Sequence, residues 1–347
     1  MGRVARDDAS EVPVRSIDWV EDHVVLLDQT RLPREERYLH VSTVDELVDA
    51  IRRLAIRGAP ALGAAGALGV LLAVAEAGLS GWDEVALQAA VQRLRAARPT
   101  AVNLARGVDR VLARMPQGTS AVRDEALRAL AEDGKINRAI GDSGARFLLE
   151  RVGIEKPRLY THCNAGALAT VEWGTALGVV HCLFDLGRLG VVYVGETRPL
   201  LQGSRLTAWE LEQLGVDYQV VVDGAGPSVV ARGLVDAVVV GADRVAANGD
   251  VVNKVGTFPL ALAAARAGVP FVVAAPESTV DPQTPSGDDV TIELRSPDEV
   301  LAIGEVRVAP HGARAFNPAF DVTPADLVTA LVTEQRVIRP AVGAKPA

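Results

Sequence analysis

Residues 159–169, Leu-Tyr-Thr-His-Cys-Asn-Ala-Gly-Ala-Leu-Ala, open with the first of five short apolar runs that decide the fold. The other four runs lie at residues 191–194, 218–222, 237–240 and 270–275, and segments with helical spacing separate them. Short apolar strands that alternate with helices are typical of a parallel sheet with helices on both faces. We therefore predict an α/β fold with a Rossmann-like, doubly wound parallel sheet in the second part of the chain.

The first 150 residues differ, because helical spacing dominates them. Two short alternating pieces at residues 16–20 and 23–27 predict a β-hairpin near the start. A chain of 347 residues is long enough for two domains. We therefore predict a mainly helical N-terminal domain with a small β element at residues 1–150. The Rossmann-like domain is predicted at residues 151–347.

Composition and charge exclude several classes of protein. Hydrophobic residues make up 49% of the chain and aromatic residues only 4%, which favours α/β layers with close helix–sheet packing. The net charge of −8 argues against binding of nucleic acid. The longest uncharged run, residues 58–75, is rich in Gly and Ala and contains Pro60, so we expect no membrane span there.

The two cysteines, Cys163 and Cys182, are too few for a disulfide framework in a chain of this length. Residues 1–8 lack the apolar segment of a secretory signal. These features predict a cytoplasmic protein. Five histidines are scattered without ligand spacing, so we expect no metal site.

Polar side chains follow the predicted strands where each one ends. Cys163 follows the first strand, Glu196-Thr197-Arg198 the second and Asp243-Arg244 the fourth. Ligands bind beyond the carboxyl ends of the strands in open α/β sheets, so these side chains should meet at one site. Cys163 has two interpretations at this point: a reactive thiol beside the N-terminus of a helix, or a small buried apolar residue.

Asp243 directly follows an apolar strand, where burial would raise the pKa of its carboxyl and let it donate a proton near neutral pH. A helix cap or a turn residue is the alternative role. Lys254 could neutralise a phosphate. Arg57-Gly58, just before a helix that starts with Pro60, combines a cation with free N–H groups and suits the same ligand.

Two glycine patterns have structural readings. Gly63, Gly66 and Gly69 recur every three residues, which favours close packing of a second helix. Gly224-Ala225-Gly226 resembles the start of a dinucleotide-binding loop. However, Pro227 follows, and Val229 stands where the third glycine belongs, so we expect no NAD site.

Six separated segments occur in an order that resembles the methylthioribose-1-phosphate isomerases, from residue 28 nearly to the end. They are Ile-Arg-Gly-Ala-Pro at 56–60, Arg-Pro-Thr-Ala-Val-Asn-Leu at 98–104, residues 161–170, Glu-Thr-Arg-Pro with Gln-Gly-Ser-Arg-Leu-Thr at 196–207, residues 241–256, and Asn-Pro-Ala-Phe-Asp-Val-Thr-Pro at 317–324. Isomerases of ribose 1,5-bisphosphate and 5-deoxyribose 1-phosphate share this architecture, as do regulatory subunits of a translation-initiation exchange factor. The resemblance is therefore more specific for the fold than for the substrate.

The resemblance implies an aldose–ketose isomerase that converts 5-methylthioribose 1-phosphate to 5-methylthioribulose 1-phosphate in methionine salvage, without a cofactor and as a homodimer. It implies that Cys163 and Asp243 form the catalytic pair. It also implies that seven residues hold the sugar phosphate: Arg57, Gly58, Ala59, Arg98, Gln202, Asn253 and Lys254. The alternatives are an isomerase of a related sugar 1-phosphate, such as 5-deoxyribose 1-phosphate or ribose 1,5-bisphosphate, and a noncatalytic regulatory subunit.

The chain departs from the family pattern at Val171-Glu172-Trp173, which we take as a candidate region for substrate choice. In the implied reaction the phosphate blocks simple opening of the sugar ring, so the bond from C1 to the ring oxygen must break. Asp243 is the candidate acid for that oxygen. Hydrogen then moves from C2 to C1, either as a proton removed by Cys163 or as a hydride with Cys163 stabilising the transition state.

Overall fold

The computed structural model describes residues 14–99 and 101–347. The described chain opens with a three-stranded antiparallel sheet of β1 (Ile17–Val20), β2 (His23–Leu27) and β3 (Tyr38–Val41). The predicted hairpin is therefore confirmed, and β3 extends it along β2. Residues 1–8, on which the expectation about a signal segment rests, lie outside the described residues.

The β element is followed by a helical part, as the sequence predicts. Its helices are α1 (Val44–Arg52), α2 (Ala59–Ser80), α3 (Glu84–Arg95), α4 (Val102–Leu112) and α5 (Thr119–Val152). A capping box starts α1, since Thr43 accepts from the N–H of Glu46 and the Glu46 carboxylate accepts from the N–H of Thr43. α2 is the central helix of this part and packs against α1, α3, α4 and α5.

α2 is the single helix among the described residues that is long and apolar enough to cross a membrane by length and composition. Its most apolar window is 61% buried inside the structure. Its hydrophobic side chains join those of α1, α3, α4 and α5 in one core. The apolar run at residues 58–75 is thus accounted for by packing within the protein.

The second part of the chain is built around a large sheet. Its strands and helices, in chain order, are β4 (Leu159–Thr161), α6 (Ala176–Asp185), β5 (Val192–Gly195), α7 (Ala208–Leu214), β6 (Tyr218–Val221), α8 (Gly226–Ala231), β7 (Ala237–Val240), β8 (Arg244–Ala246), β9 (Val251–Lys254), α9 (Thr257–Ala267), β10 (Phe271–Ala274), β11 (Val280–Asp281), α10 (Asp298–Leu301), β12 (Ala302–Ile303), β13 (Val306–Arg307), β14 (Phe320–Thr323), β15 (Ala330–Val332) and β16 (Val337–Ile338).

Seven of these strands form the large sheet, in the order β16-β15-β10-β7-β4-β5-β6. Neighbouring strands run parallel except for β16, which pairs antiparallel with β15 at the edge. Side chains of α5, α6 and α7 pack on one face, and those of α8 and α9 pack on the other. The prediction of a doubly wound parallel sheet is confirmed, and all five predicted strands belong to it.

A second, four-stranded sheet in the order β11-β8-β9-β14 is absent from the sequence-based expectations. It extends from the end of β7, because β8 begins directly after Asp243. β14 runs antiparallel to β9, and this pairing sets Phe320 opposite Lys254 and Asp321 opposite Asn253. The small sheet thus brings a late segment of the chain to the residues that follow Asp243.

α5 crosses the predicted domain boundary at residue 150, because it ends only at Val152. Its first half packs against α2 and α4, while its second half covers the large sheet beside α6. The division into residues 1–150 and 151–347 stays a prediction. One continuous helix of 34 residues contributes to both cores.

The close-packing role predicted for the glycines of α2 is confirmed. A Cβ at Gly66 would lie 2.4 Å from the carbonyl oxygen of Leu104 on α4, and one at Gly69 would lie 2.3 Å from a methyl group of Leu94. At the same crossing, a Cβ on Gly107 would lie 2.0 Å from the carbonyl oxygen of Gly63. α2 and α4 therefore meet backbone to backbone.

We predict that Gly66→Ala lowers the free energy of unfolding by about 1–3 kcal/mol, because the added methyl group has no space against α4. Gly78→Ala is the matched control on the same helix, since a Cβ there meets nothing within 4 Å. That change should raise the stability by about 0.5–1 kcal/mol through helix propensity. Urea unfolding of both variants checks the pair, and equal effects would contradict the packing.

Candidate active site

A cavity of about 330 Å³ lies beyond the carboxyl ends of β4 and β7. Both the helical part and the sheet contribute to its wall. All nine residues predicted for the site line it: Arg57, Gly58, Ala59, Arg98, Cys163, Gln202, Asp243, Asn253 and Lys254. The structure thus brings these residues together, while the role of each one stays a prediction.

Cys163 stands just beyond β4 in a left-handed backbone conformation, with φ of 62°. Two threonines hold this unfavourable conformation in place. The N–H of Cys163 donates to Oγ1 of Thr197 at 2.9 Å, and its carbonyl oxygen accepts from Oγ1 of Thr207 at 2.6 Å. The half-buried thiol consequently has a fixed direction at the cavity wall.

Burial raises the pKa of the Cys163 thiol, and the nearby cations of Arg57 and Lys254 oppose that rise. The α-helix expected directly after Cys163 is wrong, because only a 3₁₀ turn forms at Ala167–Ala169 and α6 starts at Ala176. Hence no α-helix begins within residues 164–175, directly beyond the thiol. A thiol with a raised pKa is protonated at neutral pH.

Asp243 follows β7 after two small residues, Gly241 and Ala242. Its N–H donates to the carbonyl oxygen of Val252, which fixes it beside β9. It caps no helix, since β8 begins at the next residue. Burial raises the pKa of the Asp243 carboxyl, and the nearby Glu293 carboxylate raises it further. The cations of Lys254, Arg98 and Arg57 oppose that rise.

Arg57 enters the cavity just before α2. Its Nε donates to Oε1 of Gln29 at 3.1 Å, its Nη1 donates to the carbonyl oxygen of Asn164 at 2.8 Å, and its Nη2 contacts Oδ1 of Asn164. The next residue, Gly58, has φ of 98°, and a Cβ there would lie 2.5 Å from the carbonyl oxygen of Ala169. Glycine is therefore required where the cavity wall meets the start of α2.

Two further cations complete a positive cluster with Arg57. Nη2 of Arg98 lies 3.0 Å from Oε2 of Glu293, across the mouth of the cavity. Nζ of Lys254 donates to the carbonyl oxygen of Ala319 at 2.7 Å and lies 4.6 Å from the ring centroid of Phe320. Arg244 and Arg295 line the cavity as well, and a wall with five cations suits an anionic ligand such as a phosphate.

Two of the amide side chains that line the cavity, Asn253 and Gln202, are predicted as ligand-binding residues. The Asn253 amide donates to Oγ1 of Thr257 at 3.0 Å. Gln202 is only 6% exposed, and its Oε1 is buried without a hydrogen-bond partner among the described residues. An unpaired buried oxygen is costly, so it is a ready acceptor for a ligand hydroxyl.

Sequence reasoning missed Arg295, which also lines the cavity. Its guanidinium lies 3.2 Å from Glu293 and 2.5 Å from Glu299. The segment around it has no helical or strand periodicity that would assign it to the site. Its place follows from a pairing between distant parts of the chain, in which Arg295 donates its N–H to the carbonyl oxygen of Asn317.

The candidate region for substrate choice does not line the cavity. The Glu172 carboxylate lies 3.6 Å from Arg138 and 3.8 Å from Arg15. The Trp173 ring stacks on His181, with 3.9 Å between the ring centroids. Their neighbours Ala169, Thr170 and Thr175 form the cavity wall instead. Val171-Glu172-Trp173 thus lies behind the cavity wall, and its part in substrate choice stays a prediction.

The profile of the initiation factor 2 subunit family matches residues 55–340. The chain belongs to the initiation factor 2 subunit family. Within this family, a methylthioribose-1-phosphate isomerase of Alkalilimnicola ehrlichii is 48% identical over 94% of this chain and 94% of its own length. A protein of Nocardia farcinica named "Probable bifunctional methylthioribose-1-phosphate isomerase/methylthioribulose-1-phosphate dehydratase" is 51% identical over 95% of this chain. The chain spans 60% of the length of that bifunctional relative.

Solved structures of family members are similar over almost the whole chain. The 5-methylthioribose 1-phosphate isomerase from Pyrococcus horikoshii is 38% identical with a TM-score of 0.85, and the match covers 95% of this chain and 93% of that one. The translation initiation factor eIF-2B subunit delta from A. fulgidus is 42% identical with a TM-score of 0.81, over 94% and 96% of the two chains. The architecture is therefore shared between proteins with different names.

We predict that iodoacetamide modifies Cys163 more slowly at neutral pH than it modifies an unburied cysteine, because the raised pKa of the thiol keeps it protonated. The rate should still rise with pH at about pH 9. Cys182 is the internal control, since it is 6% exposed and burial raises its pKa to about 12. Mass spectrometry measures both sites, and a rate at Cys163 that levels off below about pH 8 would contradict the raised pKa.

Proposed function

We propose that this protein is an aldose–ketose isomerase that converts 5-methylthioribose 1-phosphate to 5-methylthioribulose 1-phosphate. The observation that carries the proposal is a single cavity in which a thiol, a buried carboxyl and five cations meet. Relatives named as this isomerase, alike over nearly the full length of the chain, support the choice of substrate. A sugar phosphate carries the charge that the cations complement.

The phosphate is held by Arg57, Arg98 and Lys254 in this proposal. Arg57 stands at the start of α2, where Gly58 and Ala59 offer free N–H groups to an anion. The guanidinium of Arg98 forms an ion pair with Glu293 in the described structure. A bound phosphate would therefore compete with the Glu293 carboxylate for Arg98. The amides of Gln202 and Asn253 then bind sugar hydroxyls, and the unpaired Oε1 of Gln202 supports this assignment.

Asp243 acts as the acid that protonates the ring oxygen as the bond from C1 breaks. The raised pKa of its carboxyl supports this role, because the proton is retained up to a higher pH than on an exposed aspartate. The bond cleavage leaves electron deficiency at C1, next to the phosphate oxygen. Exclusion of water from a buried cavity protects such a centre from hydrolysis.

Hydrogen transfer from C2 to C1 follows, and we infer that it is a hydride shift. The raised pKa of Cys163 supports this route, since a protonated thiol is a poor base for a C–H bond. The 2-hydroxyl then loses its proton as the carbonyl forms at C2, and the carboxylate of Asp243 can accept it. Asp243 thereby regains a proton in place of the one that it gave to the ring oxygen. In this proposal the polarisable sulfur of Cys163 faces C1 and stabilises its electron deficiency in the transition state.

Two alternatives follow from the family. An isomerase of 5-deoxyribose 1-phosphate or ribose 1,5-bisphosphate would need the same phosphate site and the same pair of Cys163 and Asp243. The second alternative is a noncatalytic regulatory subunit, and the similarity of the chain to the translation initiation factor eIF-2B subunit delta from A. fulgidus raises it. The presence of both Cys163 and Asp243 in the cavity favours an enzyme. We further propose a cytoplasmic homodimer, on the resemblance alone.

NMR of the purified protein with a panel of sugar 1-phosphates in deuterium oxide tests the proposal. We expect the fastest turnover with 5-methylthioribose 1-phosphate, compared with 5-deoxyribose 1-phosphate and ribose 1,5-bisphosphate. The product should carry no deuterium at C1, because a hydride shift moves the hydrogen of C2 directly. Faster turnover of another sugar phosphate would identify that compound as the substrate. Deuterium at C1 of the product would contradict the hydride shift and support proton transfer.

We predict that Cys163→Ser and Asp243→Asn each lower kcat by at least about 10²-fold, because each removes a group that acts on the reacting atoms. Both changes preserve the size of the side chain, so thermal unfolding should remain cooperative. Cys182→Ser is the control, since Cys182 packs beneath α5 and lies outside the cavity. Turnover near that of the unsubstituted protein in either variant would contradict the assigned pair.

A further inference from the structure

A buried carboxylate that the proposed mechanism does not use lies behind the cavity wall. Glu210 on α7 is only 6% exposed, and it is not among the residues that line the cavity. Oε1 accepts from Nδ2 of Asn164 at 2.7 Å, and Oε2 accepts from the N–H of Ala167 at 2.7 Å. Its third contact is the N–H of Leu168, 3.4 Å from Oε1. Burial raises the pKa of the Glu210 carboxyl, and the three hydrogen-bond donors and the Arg57 cation oppose that rise. All three neighbours are donors, and this geometry fits an ionised carboxylate.

The Asn164 amide is held in one orientation by its neighbours. Its Nδ2 donates to Glu210 and, at 3.1 Å, to Oγ1 of Thr207. The hydroxyl of Thr207 uses its own proton on the carbonyl oxygen of Cys163, so it can only accept from the amide. Both acceptors therefore select the NH₂ group of Asn164. The amide oxygen must turn the other way, where it contacts Nη2 of Arg57.

Arg57 depends on this orientation, because its hydrogen-bond partners among the described residues include no carboxylate. Its three acceptors are the Gln29 amide oxygen and the two oxygens of Asn164. A reversed Asn164 amide would set an NH₂ group against the guanidinium, donor against donor. The guanidinium would then lose one acceptor and be pushed away from its position in the cavity.

We propose that Glu210 is a positioning residue for Arg57: its carboxylate fixes the Asn164 amide with the oxygen toward the guanidinium, and so places the guanidinium for a phosphate. This inference rests on the proposed function, in which Arg57 binds the phosphate of the substrate. It also explains why the position of Gly166 needs glycine, since a Cβ there would lie 2.2 Å from Oε2 of Glu210.

Glu210→Gln separates this role from simple packing, because the substitution preserves shape and exchanges one acceptor for a donor. The new NH₂ group at position 210 must face either the N–H of Ala167 or the NH₂ group of Asn164, and in both cases two donors meet. If the Asn164 amide reverses to relieve its clash, its NH₂ group then faces the guanidinium of Arg57. We expect KM for the sugar phosphate to rise about tenfold, with kcat changed by less than about threefold. Glu212→Gln, at an exposed position of the same helix, is the matched control and should change neither value.

A double-mutant cycle with Arg57→Ala provides the decisive comparison. Once the guanidinium is gone, Glu210→Gln should change KM by less than about twofold. An unchanged KM in the single variant, or an equal rise in the Arg57→Ala background, would overturn the proposal. If Glu210→Gln does not fold, Asn164→Ala replaces it in the same cycle, and the same two outcomes decide.

Calorimetric binding of inorganic phosphate distinguishes failure of this inference from failure of the proposed function. Suppose that the unsubstituted protein turns over no sugar phosphate, and that Glu210→Gln weakens its binding of inorganic phosphate about tenfold. This result would contradict the proposed function and support the role of Glu210. Normal turnover with unchanged phosphate affinity in the variant would remove the inference alone. Absence of phosphate binding by the unsubstituted protein, together with absence of turnover of every sugar phosphate, would overturn both.

Discussion

The parallel pairing of β4 with β7 is the constraint on which the site depends. Leu159 pairs with Ala237 and Tyr160 with Val238, so the two strands run side by side and end at the same edge. Neighbouring strands lie about 4.8 Å apart. Cys163 stands two residues beyond the end of β4, and Asp243 stands three residues beyond the end of β7. The thiol of Cys163 and the carboxyl of Asp243 are therefore delivered to one place by backbone hydrogen bonds. Substitutions that shift this register would separate the two groups even if both side chains were retained.

Burial and positive charge act in opposite directions on this pair. Burial raises the pKa of both the thiol and the carboxyl, while Arg57 and Lys254 lower both. A bound phosphate would neutralise the same cations and weaken their opposition. The proton on Asp243 is then held most firmly when the ligand is present, which is when an acid is required. The cations thus serve both affinity and the protonation state of the site.

The family resemblance, rather than strand spacing, supplied the full set of ligand-binding residues, and that set left out Arg295. The sequence was sufficient for the large sheet, because apolar runs reveal strands, and for the proximity of Cys163 and Asp243, because parallel strands end together. It was insufficient wherever position depends on a distant partner. Only a 3₁₀ turn forms after Cys163, at Ala167–Ala169, and the acceptor of its first N–H groups is Glu210, more than forty residues later. Lys254 and Phe320 meet only through the pairing of β9 with β14. The strands of the small sheet are too short to show the periodicity that reveals the large sheet. The roles of Cys163 and Asp243 came from the family resemblance and not from their spacing in the sequence.

The segment Val171-Glu172-Trp173 shows how residues outside the cavity can still affect the ligand. Asp133 on α5 accepts the N–H of Val171 at 2.7 Å, and burial raises the pKa of that carboxyl to about 7. Arg138, also on α5, lies 4.3 Å from the centroid of the Trp173 ring. Both contacts tie the segment to the helix that spans the two cores, while Thr170 and Thr175 on either side line the cavity. A substitution at any of these three positions would therefore reach the cavity through the backbone of its wall, and not through a side-chain contact.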